Sequence, residues 1–296
     1  MSSGGKLMTA IESPCIQAKT RRAFMAVPTL NRAQQSCRAV VHYGPWRHAA
    51  RALVRLARPP RDELAEHENS FIQLNTSQLV RAIRADGSAV AGVFPSEALI
   101  RLRTITDRLP PGEYCEFDHV PDVRSLVRCS ATLDAVRGYL RAEPELLECS
   151  VIVAEAEDST APLAYDSQRH WHFDYAGWHS LNLFVYLTDV AEDSGAHEVV
   201  AGTHGRRRMW DAVRAAIPDH EIRSRYPGRI RTILGPAGTM FFEDTSAFHR
   251  RRMHTRRRVM LNIVYASHRS WLSTGRLTLR YSDYLRAHPD FAVSVQ

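Results

Sequence analysis

The chain has 296 residues, and its shares of hydrophobic (44%) and charged (24%) residues are those of an ordinary globular protein. No apolar run approaches the roughly eighteen residues of a membrane span, and the N-terminus lacks the apolar core of a signal peptide. We therefore expect a cytoplasmic protein with no membrane partner. Five scattered cysteines without a C-x-x-C pair indicate reduced thiols. The net charge of +7 comes almost wholly from arginine. This bias indicates either a genome that favours arginine codons or a preference for acidic or nucleic-acid ligands.

The first half of the chain is expected to be mainly helical. Residues 1–25 are rich in serine, glycine and other small residues and predict a disordered arm, with residues 26–296 as a single domain. Within that domain we expect a helical support over about 45–147 and a sheet core over about 150–268. Ser96 is the expected N-cap of a helix. Apolar residues at helical spacing, with Pro and Gly as stop signals, predict helices at 47–58, 77–85, 97–109 and 132–142.

The second half changes to short apolar segments separated by Gly, Pro, Asp and Ser. One helical stretch, 209–217, interrupts them. Helices followed by many short strands favour a mainly β protein with flanking helices, built on a double-stranded β-helix, the cupin-like jelly-roll. The predicted strands are 88–94, 150–155, 181–187, 198–200, 230–234, 239–242 and 258–265.

A histidine and an aspartate two positions apart, His172 and Asp174, precede one of these strands. Side chains alternate along an extended segment, so both point to the same face and can reach one ion. An H-x-D pair alone is weak evidence for a metal site, because about one such pair is expected by chance in a chain with fourteen histidines. The chain contains such a decoy, His288-Pro289-Asp290, which includes a proline and has no later histidine or arginine.

A third metal ligand is expected further along the chain, and His249 is favoured by its context. A glycine turn at 235–238 and a strand at 239–242 lead into His249, and Arg258 follows at the start of another strand. Two imidazoles and one carboxylate form the face that holds Fe(II) and leaves the opposite positions open. The candidates weighed for this third position are His179, His197, His204, His249, His254 and His268.

Several stretches, taken in order, resemble the phytanoyl-CoA hydroxylase-like family of Fe(II)- and 2-oxoglutarate-dependent dioxygenases. The resemblance covers roughly residues 75–268. Residues 171–174 resemble the family's W-H-x-D, and residues 235–249 its glycine turn, strand and distal histidine. Residues 186–190, 194–196 and 199–204 resemble its Y-L-x-D-V, N-G-x and V-x-P-G-S/T-H segments, and residues 86–99 its opening strand and helix.

The resemblance implies roles for particular residues. His172, Asp174 and His249 would bind iron, and Arg258 would pair with the distal carboxylate of 2-oxoglutarate, with Arg257 as the alternative. Phe184 would wall the co-substrate pocket. The segment after the metal pair would line the mouth of the substrate cavity through Tyr175, Trp178 and His179.

This sequence also departs from the family pattern. The arginine lies nine positions after the histidine, where many members have it ten or eleven positions later. Arg250-Arg251-Arg252 replaces the glycine or serine that commonly follows the histidine, and Ala201 replaces a proline. These differences affect the expected co-substrate contacts and leave the metal ligands unchanged.

The resemblance implies hydroxylation of an unactivated C–H bond of a small organic molecule, such as a secondary metabolite, using Fe(II), 2-oxoglutarate and O2 and releasing succinate and CO2. Two alternatives remain open. The basic charge allows an oxygenase acting on nucleic acid or protein, although no aromatic and basic interleaved stretch supports nucleic acid. A non-catalytic jelly-roll binding protein would lack one ligand or the arginine, and here all four are present.

Overall fold

The structure, a computed structural model, describes residues 46–60, 75–156, 170–174, 176–205, 216–269 and 279–293 and the single positions 37, 40, 41, 44, 211 and 214. Across these residues no helix is long and apolar enough to cross a membrane. The arm predicted over residues 1–25 lies outside the described residues. The division into one domain stays a prediction.

Two sheets form the core of the described chain. The larger has seven strands in the order β1-β7-β4-β9-β3-β2-β10, and the smaller has three in the order β6-β5-β8. The strands pair antiparallel except β10, which runs parallel to β2. The strands are β1 Ser88–Val93, β2 Gly112–Cys115, β3 Glu145–Ala154, β4 Ser180–Tyr186, β5 His197–Val200, β6 Ile230–Ile233, β7 Thr239–Glu243, β8 His249–Arg251, β9 Arg258–Ala266 and β10 Leu279–Arg280.

Helices cover the outer face of the larger sheet. Apolar residues of six helices share one core with residues of β3, β4, β7 and β9, among them Leu102, Leu183 and Leu261. Burial of this apolar surface is the main force that holds helices and sheet together. The described helices are α1 Arg47–Ala57, α2 Thr76–Asp86, α3 Ser96–Thr106, α4 Pro121–Arg128, α5 Ser130–Leu140, α6 Asp219–Arg225, α7 Tyr281–Ala287 and α8 Pro289–Val293, with a 3-10 turn at Phe117–His119.

The central strands β4 and β9 are buried along their whole length, so both faces of the larger sheet are covered. Alternate residues turn inward, toward the smaller sheet, and form a second core. Helices on one face and a second sheet on the other define a jelly-roll, and the predicted fold class is confirmed. The inner core consists of Ile152, Phe184, Tyr186, Val190, Ala196, Val199, Ile233, Phe241, Ala247 and Met260.

Most predicted elements exist, and the errors concern boundaries and short elements. The first strand of the core is longer than predicted, because β3 extends back to Glu145. Ser96 is the first residue of α3 rather than its N-cap, which is Pro95. The helix predicted at 209–217 lies largely outside the described residues, and the described helix of this region is α6. The elements not predicted are β2, α4, α6, β8, β10, α7 and α8.

Helix α1 packs in an unexpected orientation. Leu53 and Leu56, three residues apart on one face of the helix, are exposed. Its arginines, however, face the protein: Arg47 is buried, and its guanidinium contacts the carbonyl oxygens of Trp178 and His204. Guanidinium groups suit this position because each has several N–H donors, which can hydrogen-bond to loop carbonyl groups that are not paired within a sheet. The arginine face therefore anchors α1 to the loop that follows the metal motif.

Candidate metal centre

The two imidazoles lie on segments that pair through the backbone. His172 and His249 form an isolated antiparallel bridge, in which each N–H donates to the carbonyl of the other, at 3.0 and 2.9 Å. Nδ1 of His172 lies 2.8 Å from O of His170, and Nδ1 of His249 lies 3.1 Å from O of Ala247. A ring nitrogen that faces a carbonyl oxygen carries the proton, which leaves Nε2 of each ring as the metal-binding atom.

Asp174 is the third candidate ligand. Its backbone N–H donates to O of Thr245 at 2.9 Å, which fixes it against the loop between β7 and β8. Oδ2 of Asp174 lies 3.5 Å from Nε2 of His249, and ligand atoms of all three residues lie within 4.8 Å of one another. Asp174 and His172 are partly exposed whereas His249 is buried, so the cluster is open on one side.

The electrostatics of the cluster favour a cation. Burial lowers the pKa of His249, but the hydrogen bond and charge of Asp174, followed by the charge of Glu243, outweigh it and raise the pKa above its usual value. The same negative charge attracts a metal ion. Two imidazoles and one carboxylate on one face, with the other side open, suit Fe(II). Among the described residues this is the one cluster of three such side chains with ligand geometry.

Arg258 and its neighbour Arg257 point to opposite faces of the sheet, as adjacent residues of a strand do. Arg258 is 1% exposed on the inner face, where its Nη1 donates to O of Gly195 at 2.5 Å. Arg257 faces outward, where it contacts Glu155 and donates to carbonyl oxygens of the α3–β2 connection, including that of Leu109 at 2.8 Å. Of the two arginines considered for the co-substrate, only Arg258 therefore faces the interior.

Phe184 also faces the interior. Its ring stacks on Phe241 at 5.0 Å between centroids and lies 5.2 Å from the ring of His197. Since His197 in turn stacks on His249, Phe184 belongs to the apolar wall behind the metal cluster.

The three residues expected at the substrate mouth have different positions. Tyr175 lies outside the described residues. Trp178 is partly exposed and stacks on His268 at 4.6 Å. His179 does not line the mouth: it is buried on the helix side of the sheet, with its ring 4.9 Å from that of Tyr139. Strand alternation just before β4 explains the correction, because adjacent residues point to opposite sides.

Two residues near the cluster were missed as functional candidates. Glu243 is fully buried on the inner face of β7, 3.8 Å from Nδ1 of His249. It was missed because the predicted strand ended one residue earlier, which placed Glu243 in a loop. His197 was weighed only as a ligand, and it stacks on His249 instead, with an interplanar angle of 12°. If the predicted strand 239–242 had been extended by one residue, the alternation of its side chains would have placed Glu243 on the inner face.

Fold and site together define a jelly-roll protein with a candidate 2-His-1-carboxylate centre inside its barrel. No family model matches the sequence. The chain is 30% identical over 181 residues to L-proline trans-4-hydroxylase of Streptomyces griseoviridis, an alignment that covers 51% of this chain and 64% of that protein. The chain thus matches less than two thirds of the length of this relative.

Solved structures share the fold at low sequence identity. EctD from S. alaskensis, determined with bound Fe, is similar with a TM-score of 0.50 and 17% identity, covering 75% of this chain and 93% of EctD. HygX from Streptomyces hygroscopicus, determined with nickel and 2-oxoglutarate bound, has a TM-score of 0.49 and 14% identity over 64% of this chain and 86% of HygX. The likeness to EctD supports the jelly-roll assignment.

Proposed function

We propose that this chain is an Fe(II)- and 2-oxoglutarate-dependent dioxygenase that hydroxylates an unactivated C–H bond of a small organic molecule. The observation that carries the proposal is the convergence of three ligand atoms within 4.8 Å, with Nδ1 of each imidazole facing a backbone carbonyl and one side of the cluster open. The likeness to a proline hydroxylase and the Fe bound in EctD support it.

Each residue has a distinct role in this proposal. His172, Asp174 and His249 hold the ion, and the carbonyl partners of the two imidazoles keep their Nε2 atoms directed at it. When bound, Fe(II) with 2-oxoglutarate and O2 supplies the oxidising chemistry, in which one oxygen atom enters succinate and the other enters the substrate. Arg258 presents a planar pair of donors that suits the distal carboxylate of 2-oxoglutarate. Phe184 contributes an apolar wall that excludes water from the interior.

We further propose that the substrate is a polar small molecule, and that amino acids are the first class to test. Support comes from the relative whose name specifies L-proline. The narrower assignment to the phytanoyl-CoA hydroxylase-like group is likewise a proposal, supported by the motifs of residues 171–249. No described feature favours nucleic acid, since arginines in the described ranges often contact carboxylates, as Arg101 does with Asp122 and Arg225 with Asp211.

The experiment that tests this function is anaerobic addition of Fe(II) and then 2-oxoglutarate to the metal-free protein. The expected result is a weak visible charge-transfer band that appears only when both are present. Succinate release in the presence of O2 then screens candidate substrates, beginning with L-proline. Iron binding without the band would overturn the role of 2-oxoglutarate, and absence of iron binding would overturn the metal centre.

A further inference from the structure

Behind the candidate metal centre lies a buried pair of ionisable side chains. Nε2 of His197 lies 2.7 Å from Oε2 of Glu243. Glu243 is 0% exposed, and His197 is also buried. The pair has no role among the three metal ligands or in the proposed contacts of Arg258. A carboxylate in such a position is expensive to bury, so its presence calls for a physical explanation.

Both members of the pair contact the distal ligand. The ring of His197 stacks on that of His249, with centroids 5.4 Å apart and an interplanar angle of 12°. Oε1 of Glu243 lies 3.8 Å from Nδ1 of His249. Phe184 and Phe241 pack around His197 on its other sides, which leaves the ring little freedom to move. The position of His249 is therefore fixed from behind by the pair as well as by the carbonyl of Ala247.

The carboxylate of Glu243 is poorly compensated by hydrogen bonds. Within the described ranges neither of its oxygens has an aligned donor, and the short approach of His197 is off the direction of a hydrogen bond. Such a group gains most from a positive charge close by, because Coulomb interactions are strong where water is excluded. A divalent ion held by His249 would supply that charge from the opposite side of the imidazole ring.

We propose that Glu243 and His197 are positioning residues that fix the ring of His249 and strengthen the binding of a divalent cation at the centre. This inference rests on the proposed function, because it requires the three ligands to hold a metal. Outer partners of metal ligands typically change metal affinity by about 10–100-fold when they are removed. The effect is therefore expected in the affinity of the empty protein for metal, before any co-substrate or substrate is present.

The test is titration of the metal-free full chain with Co(II) alone, followed by its visible absorption spectrum. In Glu243→Gln, which keeps the shape of the side chain and removes its charge, we expect Co(II) to bind about 10–100-fold more weakly with an altered spectrum. Glu198→Gln is the matched control. Glu198 adjoins His197 and is also buried, but it contacts Arg250 at 2.7 Å on the other face of β5, so its Co(II) affinity should equal that of the wild type.

A second variant separates metal binding from folding. The double variant Glu243→Leu/His197→Leu replaces the pair by apolar residues, which often leaves stability unchanged or improved. We expect it to unfold at or above the wild-type temperature in the metal-free state and still to bind Co(II) more weakly. Wild-type Co(II) affinity and spectrum in a folded Glu243→Gln or double variant would overturn the inference and leave the proposed function intact. Failure of the wild-type chain itself to bind Co(II) would overturn both.

Discussion

The main chains of His172 and His249 hold each other through two hydrogen bonds, at 3.0 and 2.9 Å. Residues far apart in the sequence are thus brought together by the backbone. The side chains of the two histidines contribute nothing to this bridge. Removing a metal ligand should therefore leave the local structure in place, and loss of activity in such a variant can be attributed to loss of the metal.

We predict that His172→Ala and Asp174→Ala abolish substrate-dependent succinate formation while their far-UV circular dichroism stays that of the wild type. The reason is that a site with one ligand fewer binds Fe(II) more weakly and holds it in a different geometry, whereas the fold does not depend on either side chain. His288→Ala is the matched control, because His288 belongs to an identical H-x-D spacing but is exposed between α7 and α8, where its ring stacks on Tyr284. Full turnover in either ligand variant would contradict the site assignment.

The convergence of the three candidate ligands was predictable because it follows from local rules. Alternation brings His172 and Asp174 to one face, and a turn, a strand and a following arginine single out His249. The neighbours of these ligands were harder to predict. To place Glu243 on the inner face, the last residue of β7 must be known, and the local sequence does not define it. The stacking of His197 on His249 depends on the pairing of β5 with β8, which is a long-range contact. His179 was misplaced for the same reason, since its side depends on where β4 begins.

Arg258→Ala is predicted to weaken 2-oxoglutarate binding about 30-fold or more, since losing one partner of a buried charged pair costs at least about 2 kcal/mol. Isothermal titration of the Fe(II) or Ni(II) protein without substrate measures this directly. Arg257→Ala is the control, because Arg257 lies next to Arg258 but contacts Glu155 and carbonyl groups on the outer face. Unchanged affinity in Arg258→Ala would assign the co-substrate to another residue.

The three consecutive arginines after His249 illustrate what a sequence pattern leaves undecided. Alternation on a strand indicates that one or two of the three side chains point away from the barrel. Alternation does not predict the contacts that Arg250 makes on the outer face. Its guanidinium carbon lies 4.4 Å from the ring centroid of Trp171, and its nitrogens contact Glu198 and Asp219. These contacts join β8, β5 and α6, and they depend on tertiary packing that no local motif encodes.

We therefore predict that Arg250→Ala destabilises the protein by about 3 kcal/mol, because it leaves the buried carboxylate of Glu198 without its main cation. Urea denaturation at neutral pH measures the change. Arg256→Ala provides the comparison: Arg256 and Asp193 form an exposed pair, which contributes at most about 1 kcal/mol. If Arg250→Ala lowered the free energy of unfolding no more than Arg256→Ala does, the contacts of Arg250 with Glu198 and Asp219 would contribute no more than an exposed ion pair.

A buried carboxylate also joins the helices to the sheet. Asp244 accepts a hydrogen bond from Tyr139 Oη at 2.7 Å and one from the backbone N–H of Ser246 at 3.0 Å. Burial opposes its ionisation, but the positive groups around it outweigh burial and hold the pKa of Asp244 well below its usual value. The largest of these contributions come from His204, Arg51 and Arg47.

The last prediction follows from this lowered pKa. A carboxyl group with a lower pKa in the folded state stabilises the fold above its unfolded pKa of about 3.9, and that stability is lost as the pH falls toward the folded value. Asp244→Asn should therefore cost about 3 kcal/mol at pH 7, and its deficit relative to the wild type should shrink as the pH falls below about 4. Urea denaturation of both proteins from pH 7 to about 3 measures the difference. Asp134→Asn, at an exposed position, should show little deficit at any pH, and a deficit in Asp244→Asn that does not vary with pH would contradict the assigned charge interactions.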